Sequence, residues 1–120
     1  MNISEIEKLI GISKQTIRFY EKEGLISPKR NRENQYREYD EQDIRQLKLI
    51  YVLRKTGLSI IEIKKVLDGE ITMAAAVNAR RKELLEERKE QDELLDFCND
   101  LKMQSVEWID VDKYVEKIHA

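Results

Sequence analysis

The sequence predicts a mostly α-helical protein in which a helix-turn-helix and a small β-hairpin, the wing, precede one long helix. Three observations predict this fold class. Two short amphipathic segments meet around Gly11, as in a helix-turn-helix. A polar, basic stretch with the only proline follows at residues 27–39, as expected for a hairpin. Residues 72–103 contain neither glycine nor proline, which predicts a single long helix.

The composition fits a small core that carries long solvated helices. Hydrophobic residues make up 41% and charged residues 38% of the 120 residues. We expect a domain at residues 1–70, a dimerisation helix at 71–104 and a short helical tail at 105–120. No apolar run approaches a membrane span and no signal pattern opens the chain, so the cytoplasm is the expected compartment.

The charge is distributed unevenly along the chain. The net charge is -2, yet eight basic and only three acidic residues lie between Lys8 and Arg37. Residues 58–120 carry 10 basic and 15 acidic residues. A basic front on an acidic body favours contact between the N-terminal part and phosphate groups.

The first two helices are bounded by local signals. Asn2 and Ser4 each have a glutamate three residues later, so either can cap the first helix. Gly11 ends that helix, and Ser13 caps a second one that continues to about Glu23.

The third helix should begin after Asp40 and end near Thr56. Its predicted apolar stripe is Ile44, Leu47 and Tyr51, flanked by Ile50 and Leu53.

Ser59 begins a capping box for a fourth helix, which Asp68 and Gly69 stop. The face that this helix should bury consists of Ile60, Ile63 and Leu67. The tail carries an apolar face at helical spacing, and its predicted members are Trp108, Val111, Val115 and Ile118.

The second helix has one buried and one basic side. On a helical wheel Ile17 and Tyr20 face the first helix, whereas Phe19 points mostly outward. The outward side carries a basic stripe made of Lys14, Arg18 and Lys22. An isolated basic stripe is usually a solvated surface. Here the stripe lies on the second helix of a helix-turn-helix, which enters the DNA major groove, and a basic hairpin follows at once.

The sequence therefore predicts a double-stranded DNA interface. Four residues near the start of the second helix have side chains able to reach base edges: Lys14, Gln15, Thr16 and Arg18. The hairpin cations would displace counterions from phosphates, and these are Lys29, Arg30, Arg32 and Arg37.

Two segments, "TIRFYEKEGLISP" and "YREYDEQDIRQLKLIYVLRKTGLSIIEIKKVL", resemble the N-terminal domain of the mercury-resistance-regulator (MerR) family of transcription factors. The resemblance covers residues 1–70. It implies a winged helix-turn-helix, a long helix that pairs antiparallel in a homodimer, and binding to a pseudo-palindromic promoter that many members distort for RNA polymerase. It places Arg18 and Phe19 at the DNA, and Tyr36, Arg37 and Tyr39 in a wing that reaches phosphates.

The chain departs from the family pattern at three positions. Glu7 replaces a small alanine, and it either caps the first helix with Ser4 or indicates altered packing. Gln35 replaces the usual glycine of the wing, so Asn34 is the expected residue with positive φ. Phe19 lacks the hydroxyl of the commoner tyrosine and can offer packing but no phosphate hydrogen bond.

The long helix predicts a dimer interface. Two leucine pairs bracket a stretch without apolar residues at 86–93, and an antiparallel partner with its axis near Lys89 and Glu90 would match them. The predicted interface consists of Val77, Leu84, Leu85, Leu94, Leu95, Cys98 and Leu101. The alternative is that the helix packs on its own tail through the same leucines.

Little in the sequence indicates a bound effector. One cysteine and one histidine, Cys98 and His119, are too few for a metal site within one chain, so no metal or cofactor is expected. Thiol sensing by Cys98 is one alternative to simple packing. Another is a small pocket in the dimer, lined by Trp108, Val111 and Tyr114.

Two other functions compete with DNA binding. A protein-binding adaptor on the same fold, acting on a chaperone or in an excision complex, is the alternative. An enzyme is disfavoured because the sequence has no phosphate loop, nucleophile elbow or metal-ligand cluster.

Overall fold

The computed structural model describes all 120 residues and contains six helices and one two-stranded antiparallel hairpin. The elements are α1 (Ile3–Ile10), α2 (Lys14–Lys22), β1 (Lys29–Arg30), β2 (Arg37–Glu38), α3 (Glu41–Lys55), α4 (Ile60–Leu67), α5 (Met73–Leu101) and α6 (Val111–His119). Two compact units are present, Met1–Arg81 and Lys82–Ala120. The predicted mostly helical class, with a wing and a long helix, is confirmed. None of the helices is both long and apolar enough to cross a membrane.

The turn between α1 and α2 is built by local caps. Asn2 caps α1 in a reciprocal capping box with Glu5. The N-cap of the first helix is therefore Asn2 and not Ser4. Gly11 adopts a left-handed conformation, with φ of 86°, and its N–H donates to the Glu7 carbonyl. Ser13 caps α2 by accepting a hydrogen bond from the Thr16 amide at 3.1 Å.

The Glu7 side chain has a different role from the one that its spacing to Ser4 suggests. Its Oε2 accepts a hydrogen bond from the Lys14 amide at 2.9 Å. Lys14 is the first residue of α2, so a carboxylate on α1 satisfies one of the free amides at the start of α2. The interpretation that Glu7 caps its own helix is wrong, because the side chain reaches across the turn instead.

The first unit encloses one hydrophobic core, to which α1, α2, α3 and α4 all contribute. Its fully buried side chains are Ile6, Ile17, Leu25, Leu47, Ile50, Leu58 and Ile63. Burial of these aliphatic side chains is the main stabilising contribution to this unit.

The buried face of α3 is rotated from the predicted stripe. Leu47, Ile50 and Leu53 are buried, whereas Tyr51 is half exposed and Ile44 is only partly buried. The assignment of Tyr51 to the core is therefore wrong. Residues 50 and 51 are about 100° apart on the helix, so burying Ile50 turns Tyr51 toward solvent.

The wing is a very short hairpin. Lys29 pairs with Glu38 and Arg30 with Arg37. The turn is closed by backbone hydrogen bonds rather than by a longer ladder, since the Asn31 amide donates to the Tyr36 carbonyl at 2.7 Å.

The tip of the wing corrects one prediction. Gln35, with φ of 62°, is the residue in the left-handed region, and not Asn34. The Asn34 side chain instead accepts a hydrogen bond from the Tyr36 amide at 2.9 Å. Because the Asn34 amide oxygen is used in this turn, the strained conformation falls on the following residue.

The start of α5 packs in the first unit. Ala76 is buried in its core, and Val77 packs against it. Arg80 donates from Nε to the Thr56 carbonyl, just beyond the C-terminal end of α3, at 2.8 Å. Val77 is therefore only partly buried within its own chain, and its assignment to the dimer interface stays a prediction.

The second unit contains the rest of α5 and the α6 tail. Tyr114 is buried and meets Phe97 edge-on at 5.8 Å between ring centroids, and Lys117 pairs with Asp100 at 3.0 Å. The predicted tail helix is present as α6, but its apolar residues are not buried within this chain, since four of them are exposed: Trp108, Val111, Val115 and Ile118.

The leucine pairs of α5 are not covered by this tail. Their exposed fractions range from 43% at Leu85 to 66% at Leu94. The alternative in which the long helix packs on its own tail through these leucines is therefore contradicted, because the tail packs at Phe97 instead.

Candidate nucleic-acid interface

Helix α2 presents the two sides that the helical wheel predicts. Ile17 and Tyr20 are buried, whereas Phe19 is 46% exposed. In the basic stripe, Arg18 and Lys22 are exposed, and Lys14 is partly exposed. Ile17 and Tyr20 thus pack α2 against the core, and the cationic side of the helix stays exposed to solvent.

Two polar residues at the start of α2 have different surroundings. Gln15 is exposed and makes no hydrogen bond through its side chain. Thr16 is partly buried, and its hydroxyl lies 2.8 Å from the hydroxyl of Ser13, in the cap of the same helix. Of these two predicted base-reading residues, Gln15 is the freer to rearrange toward a base.

The wing cations are exposed at the surface of the first unit. They are Lys29, Arg30 and Arg32. Tyr36, next to the tip, is 73% exposed. An exposed ring flanked by cations can pack against a sugar while the cations approach phosphates.

Arg37 joins the wing to helix α2. Its Nε donates to Glu21 Oε2 at 2.5 Å, and both side chains are partly buried. A partly buried, charged hydrogen bond of this kind is stronger and less screened than a surface ion pair. The sequence alone does not indicate this role for Glu21, although it is one of only three acids in the basic segment.

Tyr39 is placed in the core and not at the surface. It is only 2% exposed, and its hydroxyl is buried without a hydrogen-bond partner. Burial, followed by the nearby Glu21 carboxylate, raises the pKa of the Tyr39 hydroxyl above its usual value. The expectation that the Tyr39 side chain reaches a phosphate is therefore wrong.

The Tyr39 backbone nevertheless positions the wing. Its amide donates to the Met1 carbonyl at 2.8 Å, and its carbonyl accepts from the Met1 nitrogen at 3.0 Å. These two hydrogen bonds connect Tyr39, which directly follows β2, to Met1, which lies two positions before the start of α1. The wing is thus held at both the Arg37 side chain and the Tyr39 backbone.

A cleft of about 370 Å³ opens between the start of α1, helix α2 and the wing. Its lining residues are Asn2, Ile3, Ser4, Lys14, Arg18, Gln35, Tyr36 and Arg37. Three of these are cations and none is an acid. The fold therefore brings predicted contact residues of α2 and of the wing to one concave site.

Possible effector residues are dispersed. No group of three or more His, Cys, Asp or Glu side chains is arranged to hold a metal ion. Cys98 is exposed, in a shallow groove of about 310 Å³ that is also lined by Gln91, Leu94 and Leu95.

Comparison with known proteins identifies relatives of this architecture. Residues 1–70 match the family model described as the MerR helix-turn-helix family of regulatory proteins. The chain is 38% identical over 112 residues to the transcriptional regulator CueR of Vibrio cholerae, a match that covers 91% of this chain and 78% of that protein. It is also 38% identical over 93 residues to the regulator AdhR of Bacillus subtilis, covering 74% of this chain and 64% of that one.

Solved structures share the fold. The N-terminal part of the Bacillus subtilis multidrug transporter activator, MtaN, superposes with a TM-score of 0.79 over 87% of this chain and 99% of that one, at 22% identity. HiNmlR, a MerR-family regulator that lacks the sensor domain and is bound to promoter DNA, superposes with a TM-score of 0.58 over 81% of each chain, at 27% identity. The chain therefore belongs to the MerR family of helix-turn-helix transcription regulators.

Proposed function

We propose that the chain binds a twofold-symmetric promoter site as a homodimer, with α2 in the major groove and the wing on the adjoining backbone. The observation that carries this proposal is the exposed cationic side of α2, which continues into the exposed wing cations in a chain of net charge -2. Cations gathered on one face despite an acidic total indicate a polyanionic partner.

The exposed side chains of α2 and of the wing have different roles in this proposal. Arg18 lies on the outward side of α2, where a guanidinium can reach the O6 and N7 atoms of a guanine. Lys14 and Gln15, one turn earlier, precede it along the groove. Lys22 and the wing cations supply contacts to phosphates, which carry no sequence information.

The wing and α2 act as one rigid reader in this proposal. The two ladder pairs of the hairpin are too few to fix its direction by themselves. The bond from Arg37 to Glu21 and the backbone pairing of Tyr39 with Met1 supply the missing constraints. A fixed distance between α2 and the wing would select the groove and the phosphates that are bound together.

Dimerisation accounts for the exposed leucines of α5. In an antiparallel pair with its axis between Lys89 and Glu90, Leu84 lies opposite Leu95 of the partner subunit, and Leu85 lies opposite its Leu94. Cys98 and Leu101 extend this interface toward the end of α5, where Cys98 is exposed and Leu101 is partly exposed. Burying such apolar side chains favours association through the hydrophobic effect.

A consequence for transcription follows from the family. We propose that the bound promoter is distorted so that RNA polymerase can use it, as the family resemblance implies. Two solved relatives support this step. One is HiNmlR bound to promoter DNA. The other is an EcmrR–DNA complex in EcmrR-RPo, with a TM-score of 0.71 at 25% identity over 83% of this chain and 37% of that one.

The decisive experiment is selection of bound sequences from a random duplex pool. A consensus made of two inverted half-sites would support the regulator. Absence of any enriched sequence would overturn it in favour of the protein-binding adaptor.

The base-reading role is tested by Arg18→Ala, with Lys8→Ala, an exposed cation on α1, as the matched control. We expect Arg18→Ala to weaken cognate binding by more than about 1 kcal/mol and to relax the selected consensus. An equal loss on random duplex would reduce Arg18 to a phosphate contact.

The dimer is tested by Leu84→Glu, with Leu9→Glu as the control of similar exposure, since the two leucines are 44% and 48% exposed. Sedimentation should show a monomer for Leu84→Glu and a dimer for both the control and the unchanged chain. A monomeric unchanged chain at micromolar concentration would refute the pairing.

A further inference from the structure

An open groove lies between α5 and α6 in the second unit of the chain. It has a volume of about 560 Å³ and is lined by three apolar side chains and two acids: Leu94, Phe97, Ile118, Glu90 and Glu93. Leu94 is 66% exposed and Ile118 is 67% exposed, so the rest of the chain does not cover them. No cation lines the groove. Its surface therefore fits an apolar side chain that is flanked by positive charges.

The α6 wall of this groove is fixed by contacts with α5. The buried Tyr114 ring meets Phe97 edge-on at 5.8 Å between centroids, and Lys117 pairs with Asp100 at 3.0 Å. Ile118 follows one helical turn after Tyr114 and lines the groove. Helix α6 thus holds Ile118 in place before any partner binds, which lowers the entropy cost of binding.

The first part of α5 in the same unit carries a row of side chains that complements the groove. Lys82, Leu85 and Lys89 have i, i+3, i+7 spacing, which puts them on one side of the helix, and all three are exposed. In the proposed antiparallel pair, Leu94 lies opposite Leu85 of the partner subunit. The same register puts Glu90 opposite Lys89 of the partner subunit. An apolar side chain between two lysines thus meets an apolar groove with two acids.

From this match we infer that the groove between α5 and α6 of each subunit binds the 82–89 segment of a second copy of this chain, so that α6 is part of the dimer interface. The inference rests on the proposed homodimer and adds α6, which the leucine pairing does not involve. A second copy is the expected occupant because its lysines complement the acids of the groove. In addition, Leu94 belongs both to the groove and to the proposed leucine interface, so the two surfaces are continuous.

Disulfide cross-linking tests the contact between α6 and the partner. Leu85→Cys and Ile118→Cys are combined in one chain, in a Cys98→Ser background that removes the only native thiol. Oxidation should give a covalent dimer in denaturing electrophoresis without reductant, because a disulfide forms only between close Cβ atoms. The matched control combines Leu85→Cys with Val111→Cys. Val111 is 59% exposed on the same helix but does not line the groove, so the control should run as a monomer.

The contribution of α6 to affinity is measured as the dissociation constant of the dimer in sedimentation equilibrium. Ile118→Ala should raise this constant by about tenfold, because an apolar contact is lost in each of the two grooves. Val111→Ala should leave it within about twofold of the unchanged chain. Both side chains are exposed in the single chain, so circular dichroism should show the same helix content for both variants.

Charge reversal tests whether the 82–89 segment is the occupant. Glu90→Lys should raise the dissociation constant by about fivefold for each groove, since it places two lysines opposite each other. Adding Lys89→Glu in the same chain should restore the dimer, because the pair is re-formed with its signs exchanged. A double variant that associates no more tightly than Glu90→Lys alone would overturn the assignment of this segment.

The role of α6 and the homodimer itself fail in different ways. If the Leu85→Cys, Ile118→Cys chain gives no covalent dimer while the unchanged chain sediments as a dimer, the role of α6 is overturned and the homodimer stands. An unchanged dissociation constant for Ile118→Ala has the same meaning. An unchanged chain that sediments as a monomer at micromolar concentration would refute the homodimer and this inference together.

Discussion

Adding a single methyl group at Gly57 should lower the free energy of unfolding. The residue follows α3 with φ of 90°, a conformation that favours glycine. A Cβ built there would lie 2.8 Å from Arg80 Nη2 and 2.9 Å from Arg80 Nε. The guanidinium is held in place by the bond from Nε to the Thr56 carbonyl. Gly57→Ala therefore strains the backbone and displaces Arg80 together.

The two effects have separate magnitudes. The left-handed conformation costs an alanine about 1–2 kcal/mol. Losing a hydrogen bond from a charged donor costs about 1.5–3 kcal/mol, and we take the lower half because Arg80 is only partly buried. The expected decrease in the free energy of unfolding is thus about 2.5–4 kcal/mol.

Urea denaturation followed by circular dichroism measures this decrease, and Gly69→Ala is the matched control. Gly69 also has positive φ, 77°, but no atom lies within 4 Å of its added Cβ. The control should show the backbone cost alone. In an Arg80→Ala background the extra cost of Gly57→Ala should disappear. Equal costs at the two glycines, or an extra cost that survives in the Arg80→Ala background, would refute the reasoning.

Three further predictions have defined outcomes. Tyr39→Phe should raise the free energy of unfolding by about 1 kcal/mol, because it removes a buried hydroxyl that has no hydrogen-bond partner. It should leave the affinity for DNA unchanged. Weaker binding would show that the Tyr39 hydroxyl contacts DNA. The hydrogen bond from the Asp43 amide holds the pKa of Asp40 below its usual value, so this stabilisation is present at neutral pH and is lost as pH falls through the lowered pKa of the folded state. Asp40→Asn keeps the cap and should reduce that loss in acid denaturation, whereas an unchanged pH profile would contradict it. Arg37→Ala should weaken cognate and random duplexes alike and lower the salt slope by about 1 per half-site in titrations, whereas Glu21→Gln should leave that slope intact.

Features set by a few neighbouring residues were predictable from the sequence. The caps at Ser13, Asp40 and Ser59 are where the sequence places them, because each depends on one side chain and an amide three residues later. The division of α2 into a buried and an exposed side follows from helical periodicity alone. The same periodicity predicts the outward position of Phe19 and the burial of Tyr20.

Features set by tertiary packing were not predictable in the same way. The bond between Arg37 and Glu21 joins residues 16 positions apart, and no periodicity connects a wing to a helix. In the tail, Val111 and Tyr114 both have helical spacing, and only the position of Phe97 decides that the tyrosine is buried. Propensity favoured Asn34 for the left-handed residue, but its side-chain hydrogen bond moved the strain to Gln35.

The contact between Glu7 and the Lys14 amide bears on how such regulators can be re-engineered. A chimera that exchanges α2 alone, in order to transfer a DNA preference, would leave the start of the transplanted helix dependent on a carboxylate from α1. A donor helix taken from a relative with alanine at that place has adapted to a different neighbour. The smallest transferable segment in this chain is therefore the α1–α2 pair, and specificity exchanges should move both helices together.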